Sequence, residues 1–303
     1  MKKITCPPFL SVGDKAIIIS PSGNVDSLYI DTSKTILESW GLQVVIALHA
    51  CQQCGRYGGT VDERVNDLQN AMDNKDIKLI MCSRGGYGVV HLLDKINFSK
   101  IKKHPKWLVG YSDITALHLA FLKHNLFSLH APMGRHLTEN NGEDVSSDYL
   151  HKLLFGSIPD YTIKSHTLNR QGKAKGHLFG GNLAVLAGLM GTKYIPKPKG
   201  GILFVEDISE SPYKIDRMMW QLKLSGVLKH LSGLVIGQFT DCEEDPLMEA
   251  TIYQSIRDMV AEYNYPVVFD FPVGHVVDNY PLIHGATVKL EVTQTEVKLL
   301  NID

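Results

Sequence analysis

Several features that define particular classes of protein are missing from this sequence. No window of the 303-residue chain is apolar over the roughly 20 residues that a membrane-spanning helix needs. Basic and acidic residues are nearly balanced, 31 against 32, so no basic surface predicts binding to nucleic acid or to an anionic membrane. Residues 1–8 contain two lysines but lack the apolar core of a signal peptide. These absences predict a soluble, cytoplasmic protein.

Cysteine is scarce, and its five positions form no even disulfide framework, which favours a reducing compartment. They are Cys6, Cys51, Cys54, Cys82 and Cys242. Cys51 and Cys54 have the C-x-x-C spacing of metal and redox sites, but no second ligand pair follows. The glycine-rich residues 55–59 after them are typical of a loop. We therefore expect an ordinary loop here, with no metal.

The sequence also lacks a complete nucleotide-binding fingerprint. A glycine-rich segment at residues 82–91 follows an apolar run, but His91 occupies the position of the third glycine. No acidic residue closes a following strand to hold a ribose, and a Walker lysine is absent. We therefore expect no cofactor. The bare backbone N–H groups of this loop can still approach an anion closely, as an oxyanion hole requires.

What the sequence does contain is an alternation of apolar strands and amphipathic helices. With 44% hydrophobic residues, the chain can bury a large core and predicts two domains. Strands are predicted at residues 15–20, 43–47, 77–82 and 108–110, and helices at 32–40, 60–74 and 86–93. This order predicts a parallel sheet with helices on both faces in an N-terminal, flavodoxin/amidotransferase-like α/β domain at residues 1–140.

The second half of the chain is predicted to form a smaller mixed α/β domain at residues 176–303. A polar, turn-rich stretch at residues 141–175 is the predicted linker. Strands are predicted at 201–205, 233–237 and 266–270, helices at 215–224 and 250–263, and a final hairpin at 286–292 and 295–299.

A serine stands where an apolar strand turns into a helix. The strand ends at Gly110, and the helical pattern begins just after Ser112. Such a turn presents a side chain at the carboxyl edge of a sheet and points backbone N–H groups at a nearby oxyanion. The nucleophile-elbow spacing Gly-x-Ser-x-Gly is only half met, because Ile114 replaces the second glycine. Ser112 is therefore a candidate nucleophile, while helix capping by Ser112 and Asp113 remains the alternative.

A serine nucleophile needs a base, and the base needs an acid to orient it. Among thirteen histidines, His275 lies on a glycine- and proline-bracketed loop after a buried strand, and His284 is its nearest rival. Glu206 ends an apolar strand, where a carboxylate is costly without a partner. Capping of a helix by Asp207 or Ser209 is an alternative explanation for this acidic cluster.

Five ordered motifs resemble the L,D-carboxypeptidases, serine peptidases that trim murein tetrapeptides and whose relatives confer immunity to peptide-nucleotide antibiotics. The motifs are the glycine loop at residues 83–88, the serine turn at 110–115, Gly180-Gly181-Asn182-Leu183, Glu206-Asp207 with residues 212–217, and Gly274-His275. The resemblance covers essentially the whole chain, and five motifs in order are far more specific than any one of them.

The resemblance implies an active site in the cleft between the two domains, with Ser112 as nucleophile, His275 as base and Glu206 orienting the imidazole. It also implies an oxyanion hole formed by the backbone N–H groups of Gly86 and Asp113. Glu210 lies close enough to Glu206 to leave the acid open.

The same resemblance implies a small peptide substrate, the murein tetrapeptide, and a homodimer. Release of a C-terminal D-amino acid also needs a cation for the terminal carboxylate. Arg84, beside the glycine loop, is a candidate, and an ion pair with a local aspartate is the alternative.

Two other functions remain open from the sequence. An immunity-type hydrolase would cleave an amide in a peptide- or aminoacyl-nucleotide antibiotic, and it calls for an aromatic side chain on a loop over the cleft. The three tryptophans, Trp40, Trp107 and Trp220, fall in helix or strand patterns instead. The other alternative is a non-catalytic peptide binder that kept the scaffold, and a dehydrogenase is disfavoured by the incomplete glycine fingerprint.

Overall fold

The structure is a computed structural model that describes residues 4–196 and 199–302. The predicted features of residues 1–3 lie outside the described residues. The chain divides into two compact units: Met1–Ile158 with Val277–His284, and Pro159–Val276 with Gly285–Asp303. Among the described residues, no helix combines the length and the apolar character needed to cross a membrane.

The first unit is built on a six-stranded sheet. Its strands are β1 (Lys15–Ile19), β2 (Gln43–Ile46), β3 (Ile77–Cys82), β4 (Trp107–Gly110), β5 (Ser128–His130) and β11 (Leu282–His284). The strand order is β11-β5-β4-β3-β1-β2, and every neighbouring pair is parallel except β11 with β5. Core side chains on the central strands, such as Ile18, Leu79 and Val109, are fully buried. The predicted parallel sheet is confirmed.

The described residues of this unit also form five α-helices, of which the first three lie between strands of the sheet. They are α1 (Ser27–Ser39), α2 (Val61–Asp73), α3 (Thr115–Lys123), α4 (Gly134–Glu139) and α5 (Val145–Leu154). Local chemistry sets the start of α2: the side chains of Thr60 and Glu63 accept hydrogen bonds from each other's backbone N–H groups, a reciprocal cap that satisfies two donors of the first turn.

The strand order brings three loops to one edge of this sheet. Because β1, β3 and β4 are adjacent and parallel, the segments that follow them all leave from their carboxyl ends. These segments begin at Ser20, Ser83 and Tyr111. Ligand sites of parallel α/β sheets lie beyond this edge.

The second unit contains a seven-stranded mixed sheet. Its strands are β6 (Tyr161–Lys164), β7 (Gly172–Asn182), β8 (Ile202–Ile208), β9 (Gly233–Thr240), β10 (Val267–Val268), β12 (Thr287–Val292) and β13 (Glu296–Asn301). The order is β10-β9-β8-β7-β12-β13-β6, parallel from β10 to β7 and antiparallel beyond it. Three α-helices complete the unit: α6 (Leu183–Gly188), α7 (Pro212–Leu224) and α8 (Ile252–Met259). The predicted mixed α/β architecture and the final hairpin are confirmed.

Three local expectations differ from the structure. Residues 86–93 do not form an α-helix, because Gly86 and Gly88 have φ of 127° and 121°, and only the short 3-10 helix Val89–Leu92 follows. Residues 141–175, expected as a linker, contain α5, β6 and the start of β7. The strand Leu282–His284 pairs with β5, so this late segment is counted with the first unit.

Candidate active site

Ser112 lies on a strained turn between β4 and α3. It is partly exposed and has a φ of 64°, a left-handed value that a non-glycine residue adopts only at a cost. Gly110 permits the tight turn, since a Cβ there would lie 2.9 Å from the side chain of Ile114. The residue that replaces the second glycine of the elbow spacing thus packs over the first. The serine is not the N-cap of either helical segment that follows, because the N-cap of the 3-10 helix Ser112–Ile114 is Tyr111 and that of α3 is Ile114.

The glycine-rich loop lies directly against the serine. A Cβ built on Gly85 would come within 2.7 Å of Ser112 Cβ and 2.8 Å of Ser112 Oγ. Gly86 has a φ of 127°, and its own Cβ would lie 3.1 Å from Gly23 Cα in the loop after β1. The backbone of residue 85 therefore approaches Ser112, and that of residue 86 approaches Gly23, as closely as only glycine allows.

Asp113 anchors this arrangement with a buried carboxylate that is 3% exposed. Its Oδ2 accepts hydrogen bonds from Ser22 Oγ at 2.5 Å and from the backbone N–H of Val89 at 3.0 Å. Burial raises the pKa of Asp113, and these two bonds together with the charge of Arg64 oppose that shift.

Sequence reasoning missed the roles of Ser22 and Arg64. The guanidinium of Arg64 is buried and donates to the carbonyl oxygens of Pro21 and Gly88, each at 3.0 Å. A signal was present, because residue 64 falls on the apolar face of α2, three residues after Val61 and four before Leu68. An arginine on a buried face needs buried acceptors.

The acid and base candidates meet in the second unit. His275 Nδ1 lies 2.7 Å from Glu206 Oε2, and the Glu206 side chain is fully buried. A carboxylate only accepts hydrogen bonds, so Nδ1 carries the proton and the basic lone pair is on Nε2. Burial lowers the pKa of His275, but the charge and hydrogen bond of Glu206 outweigh it, so the net shift is upward.

The loop that carries His275 is fitted closely to the sheet. Gly274 has a φ of 134°, and a Cβ there would lie 3.0 Å from Glu206 Cβ. On β9, which neighbours the strand of Glu206, a Cβ on Gly237 would lie 2.5 Å from the carbonyl oxygen of Val273. The same oxygen accepts from Gln238 N–H at 3.0 Å. The imidazole thus reaches Glu206 because two backbone positions carry no side chain.

The neighbouring acids have other partners. Asp207 accepts from Asn182 Nδ2 at 2.8 Å and from Ala184 N–H in the first turn of α6 at 2.8 Å. Neither Asp207 nor Ser209 is an N-cap, however, since Asn182 caps α6 and Ser211 precedes α7. Burial and the charge of Glu206 raise the pKa of Asp207 to about 6. Glu210 pairs with Lys214 at 3.3 Å. Of the three acids, Glu206 is the one in contact with His275.

His284, the rival base, lies in the core of the first unit. Its ring is fully buried and stacks on His118 with centroids 4.6 Å apart. Burial, together with the neighbouring histidines, holds the pKa of His284 well below its ordinary value. His118 in turn contacts the carbonyl oxygen of Gly110 at 2.8 Å, so this buried group supports the strand that leads into Ser112.

Arg84 is half-buried beside the glycine loop and donates to the carbonyl oxygen of Asn24 at 3.0 Å. Glu139, whose charge acts on Arg84, pairs with Arg135 at 2.7 Å instead. In the described part of the chain no carboxylate forms an ion pair with Arg84. The alternative role of Arg84, an ion pair with a local aspartate, therefore finds no support.

The cysteine pair lies outside this arrangement. Cys51 and Cys54 are both exposed and lie in the loop that follows β2. Among residues 4–196 and 199–302, no group of three or more histidine, cysteine or acidic side chains is placed to hold a metal ion.

Comparisons with known proteins agree with the five sequence motifs. Residues 17–131 match the LD-carboxypeptidase N-terminal domain family, and residues 175–290 match the LD-carboxypeptidase C-terminal domain family. The chain is 33% identical over 300 residues to a probable murein peptide carboxypeptidase of Bacillus subtilis, covering 95% of this chain and 92% of that protein.

Two solved structures show the same architecture. The muramoyltetrapeptide carboxypeptidase of Oxalobacter formigenes has a TM-score of 0.87 and 30% identity, covering 95% of this chain and 99% of that one. An MccF-like protein of Bacillus anthracis has a TM-score of 0.84 and 24% identity, covering 98% and 100%, and this likeness shows the fold alone. The two family matches and the relatives along nearly the whole chain establish that this protein belongs to the LD-carboxypeptidase family and is a serine-type carboxypeptidase.

Proposed function

We propose that this enzyme releases the C-terminal D-alanine of murein tetrapeptides during cell-wall recycling, with Ser112 as nucleophile. The observation that carries the proposal is the buried Glu206 in contact with His275 Nδ1, which leaves Nε2 as the basic atom. The strained, glycine-backed Ser112 supports it from the first unit. The murein peptide substrates named for the Bacillus and Oxalobacter relatives support the substrate class.

The reaction follows from these residues if Ser112 Oγ comes within hydrogen-bonding reach of His275 Nε2. The serine oxygen attacks the carbonyl carbon before D-alanine, and its proton passes to Nε2. The oxyanion accepts hydrogen bonds from the backbone N–H groups of Gly86 and Asp113. When the C–N bond breaks, the imidazolium returns the proton to the leaving amine. Water, deprotonated by the same imidazole, then hydrolyses the acyl-enzyme and restores Ser112.

The test of the substrate is direct. Incubation with murein tetrapeptide is expected to release free D-alanine and leave the tripeptide, as chromatography of the products would show. The matched control is the same peptide ending in L-alanine, which the enzyme should hydrolyse far more slowly. Equal release from both peptides, or release from neither, would reject the proposed specificity.

Arg84 is the proposed partner of the terminal carboxylate. It is half-buried next to Gly85, and a guanidinium can bind a carboxylate through two hydrogen bonds. The Arg84→Ala variant is expected to show KM for the tetrapeptide raised by about tenfold or more, since a charge-assisted contact contributes about 1.5–3 kcal/mol. A tetrapeptide with an amidated C-terminus should bind wild type and variant equally weakly. A KM for the acid peptide that the substitution leaves unchanged would remove Arg84 from this role.

The immunity-type alternative has less support in the structure. Trp107 is fully buried in β4, Trp220 lies within α7, and Trp40 caps the C-terminus of α1 and stacks on His151. None of these tryptophans is carried by a long loop. An aminoacyl-nucleotide amide, included as a further substrate in the same assay, is expected to remain intact.

Cytoplasmic location and a homodimer belong to the same proposal. None of the five cysteines forms a disulfide, which agrees with a reducing compartment. Tyr213, Trp220 and Leu224 lie on one side of α7 and are 48%, 42% and 81% exposed, a surface that a second copy of the chain could cover. Analytical ultracentrifugation should give a mass of about twice the 33.7 kDa of one chain. A measured mass of one chain would reject the homodimer.

A further inference from the structure

We infer that the side chain of Asp113 is a positioning residue for the oxyanion hole: its carboxylate fixes the loop that carries the Gly86 N–H, while its own backbone N–H is the second donor. The inference rests on the proposed function, in which these two N–H groups stabilise the tetrahedral intermediate. It also gives a role to Ser22 and Gly23, which lie in the loop after β1.

The carboxylate joins three segments of the first unit. Asp113 follows Ser112 directly, so it is part of the nucleophile turn. Its Oδ2 accepts from Ser22 Oγ at 2.5 Å, in the loop after β1, and from Val89 N–H at 3.0 Å, at the end of the glycine loop. Ser22 is fully buried and Asp113 is 3% exposed, so water does not compete for these bonds.

The glycine loop is held at further backbone atoms on either side of Gly86. Gly85 O accepts from Gly23 N–H at 3.1 Å, and Gly88 O accepts from the Arg64 guanidinium at 3.0 Å. Groups outside the loop therefore hold it at residue 85, just before Gly86, and at residues 88 and 89, just after it.

The donor at the centre of this frame, the N–H of Gly86, has no acceptor among residues 4–196 and 199–302. A backbone N–H that is kept unused while the atoms around it are bonded is available to an oxyanion. If the bond from Asp113 to Val89 is lost, the Gly86 N–H loses one of the constraints that aim it, and stabilisation falls in the transition state but not in the ground state.

The experiment compares three variants of the full chain by kinetics and by binding of a transition-state analogue. The analogue is a boronic acid of the murein tripeptide, in which boron replaces the scissile carbonyl carbon. Asp113→Asn is expected to lower kcat by about 100-fold with KM little changed, and to weaken boronate binding by a similar factor. Affinity for the product tripeptide should stay the same. Ser22→Ala removes one of the two hydrogen bonds to the Asp113 carboxylate. It should lower kcat and boronate affinity by a smaller factor, about tenfold each.

The matched control is Ser147→Ala. Ser147 is also a fully buried serine whose hydroxyl donates to an aspartate, Asp144 Oδ2, at 2.5 Å, but it lies at the start of α5. Its kcat and boronate affinity should equal those of the wild type. A general effect of removing a buried Ser–Asp bond would show in this variant as well.

The outcomes separate the two proposals. An Asp113→Asn protein with unchanged kcat and boronate affinity, or one whose kcat falls while boronate affinity does not, overturns the positioning role. If Asp113→Asn fails to fold, Ser22→Ala decides by the same two readings. A wild type that binds the boronate but releases no D-alanine rejects the substrate proposal, and the effect of the variants on boronate binding still decides the role of Asp113.

Discussion

Replacement of Ser112 by alanine is expected to abolish release of D-alanine, with a fall in kcat on the order of 10⁶-fold. The reason is chemical, since alanine has no oxygen to form the acyl-enzyme. The left-handed turn at φ 64° and the close approach of Gly85 remain possible, because alanine differs from serine only by the hydroxyl. Free D-alanine, followed over time at saturating tetrapeptide, measures the effect.

The control for this variant is thermal unfolding, which should give a melting temperature close to that of the wild type. A folded Ser112→Ala protein that turns over tetrapeptide at more than a small fraction of the wild-type rate would show that another group is the nucleophile.

Replacement of Glu206 by glutamine is expected to lower kcat by about 10⁴-fold, because a glutamine amide no longer enforces the Nδ1–H tautomer or stabilises the imidazolium. Glu210→Gln is the matched control, four residues away and paired with Lys214 rather than with the histidine. It should retain kcat within about twofold, given the small contribution of a partly exposed ion pair. The opposite ranking of the two variants would assign the acid to Glu210.

The pH profile of the residual activity tests the same contact independently. Burial lowers the pKa of His275 and Glu206 raises it by more, so the net shift is upward. Activity requires the neutral imidazole and is therefore lost as the pH falls through this raised pKa. Without the Glu206 charge, the acid limb of kcat/KM should move to lower pH. A limb that stays in place would mean that Glu206 does not act on the titrating group.

Much of the fold follows from local patterns in the sequence. Buried parallel strands are continuous apolar runs, and the bounds of β3 follow the sequence pattern residue for residue. Ser112 could be singled out because the end of an apolar strand and the start of a helical pattern flank it within a few positions. The contact of Glu206 with His275 spans 69 residues, and it was the family resemblance, rather than any local pattern, that paired them.

Other parts depend on contacts that no local pattern carries. The helix Val145–Leu154 lies in a stretch that the sequence predicted as linker. Asp144 accepts from the N–H groups of Ser146 and Ser147 to cap this helix, but aspartate and serine are also typical of loops, so the local pattern does not distinguish the two. The three-residue strand Leu282–His284 is too short for a periodic pattern, and its pairing with β5 is set by the tertiary fold. The roles of Ser22 and Arg64 also come from partners 91 and 24 residues away.

The central claim is that Ser112 is the nucleophile and that His275 activates it. Labelling with a fluorophosphonate, followed by mass spectrometry of the digested protein, tests this most directly. The wild type is expected to carry one adduct, on the peptide that contains Ser112, and the His275→Ala protein is expected to react far more slowly. An adduct on a different residue, or labelling of Ser112 at the same rate without His275, would contradict the account.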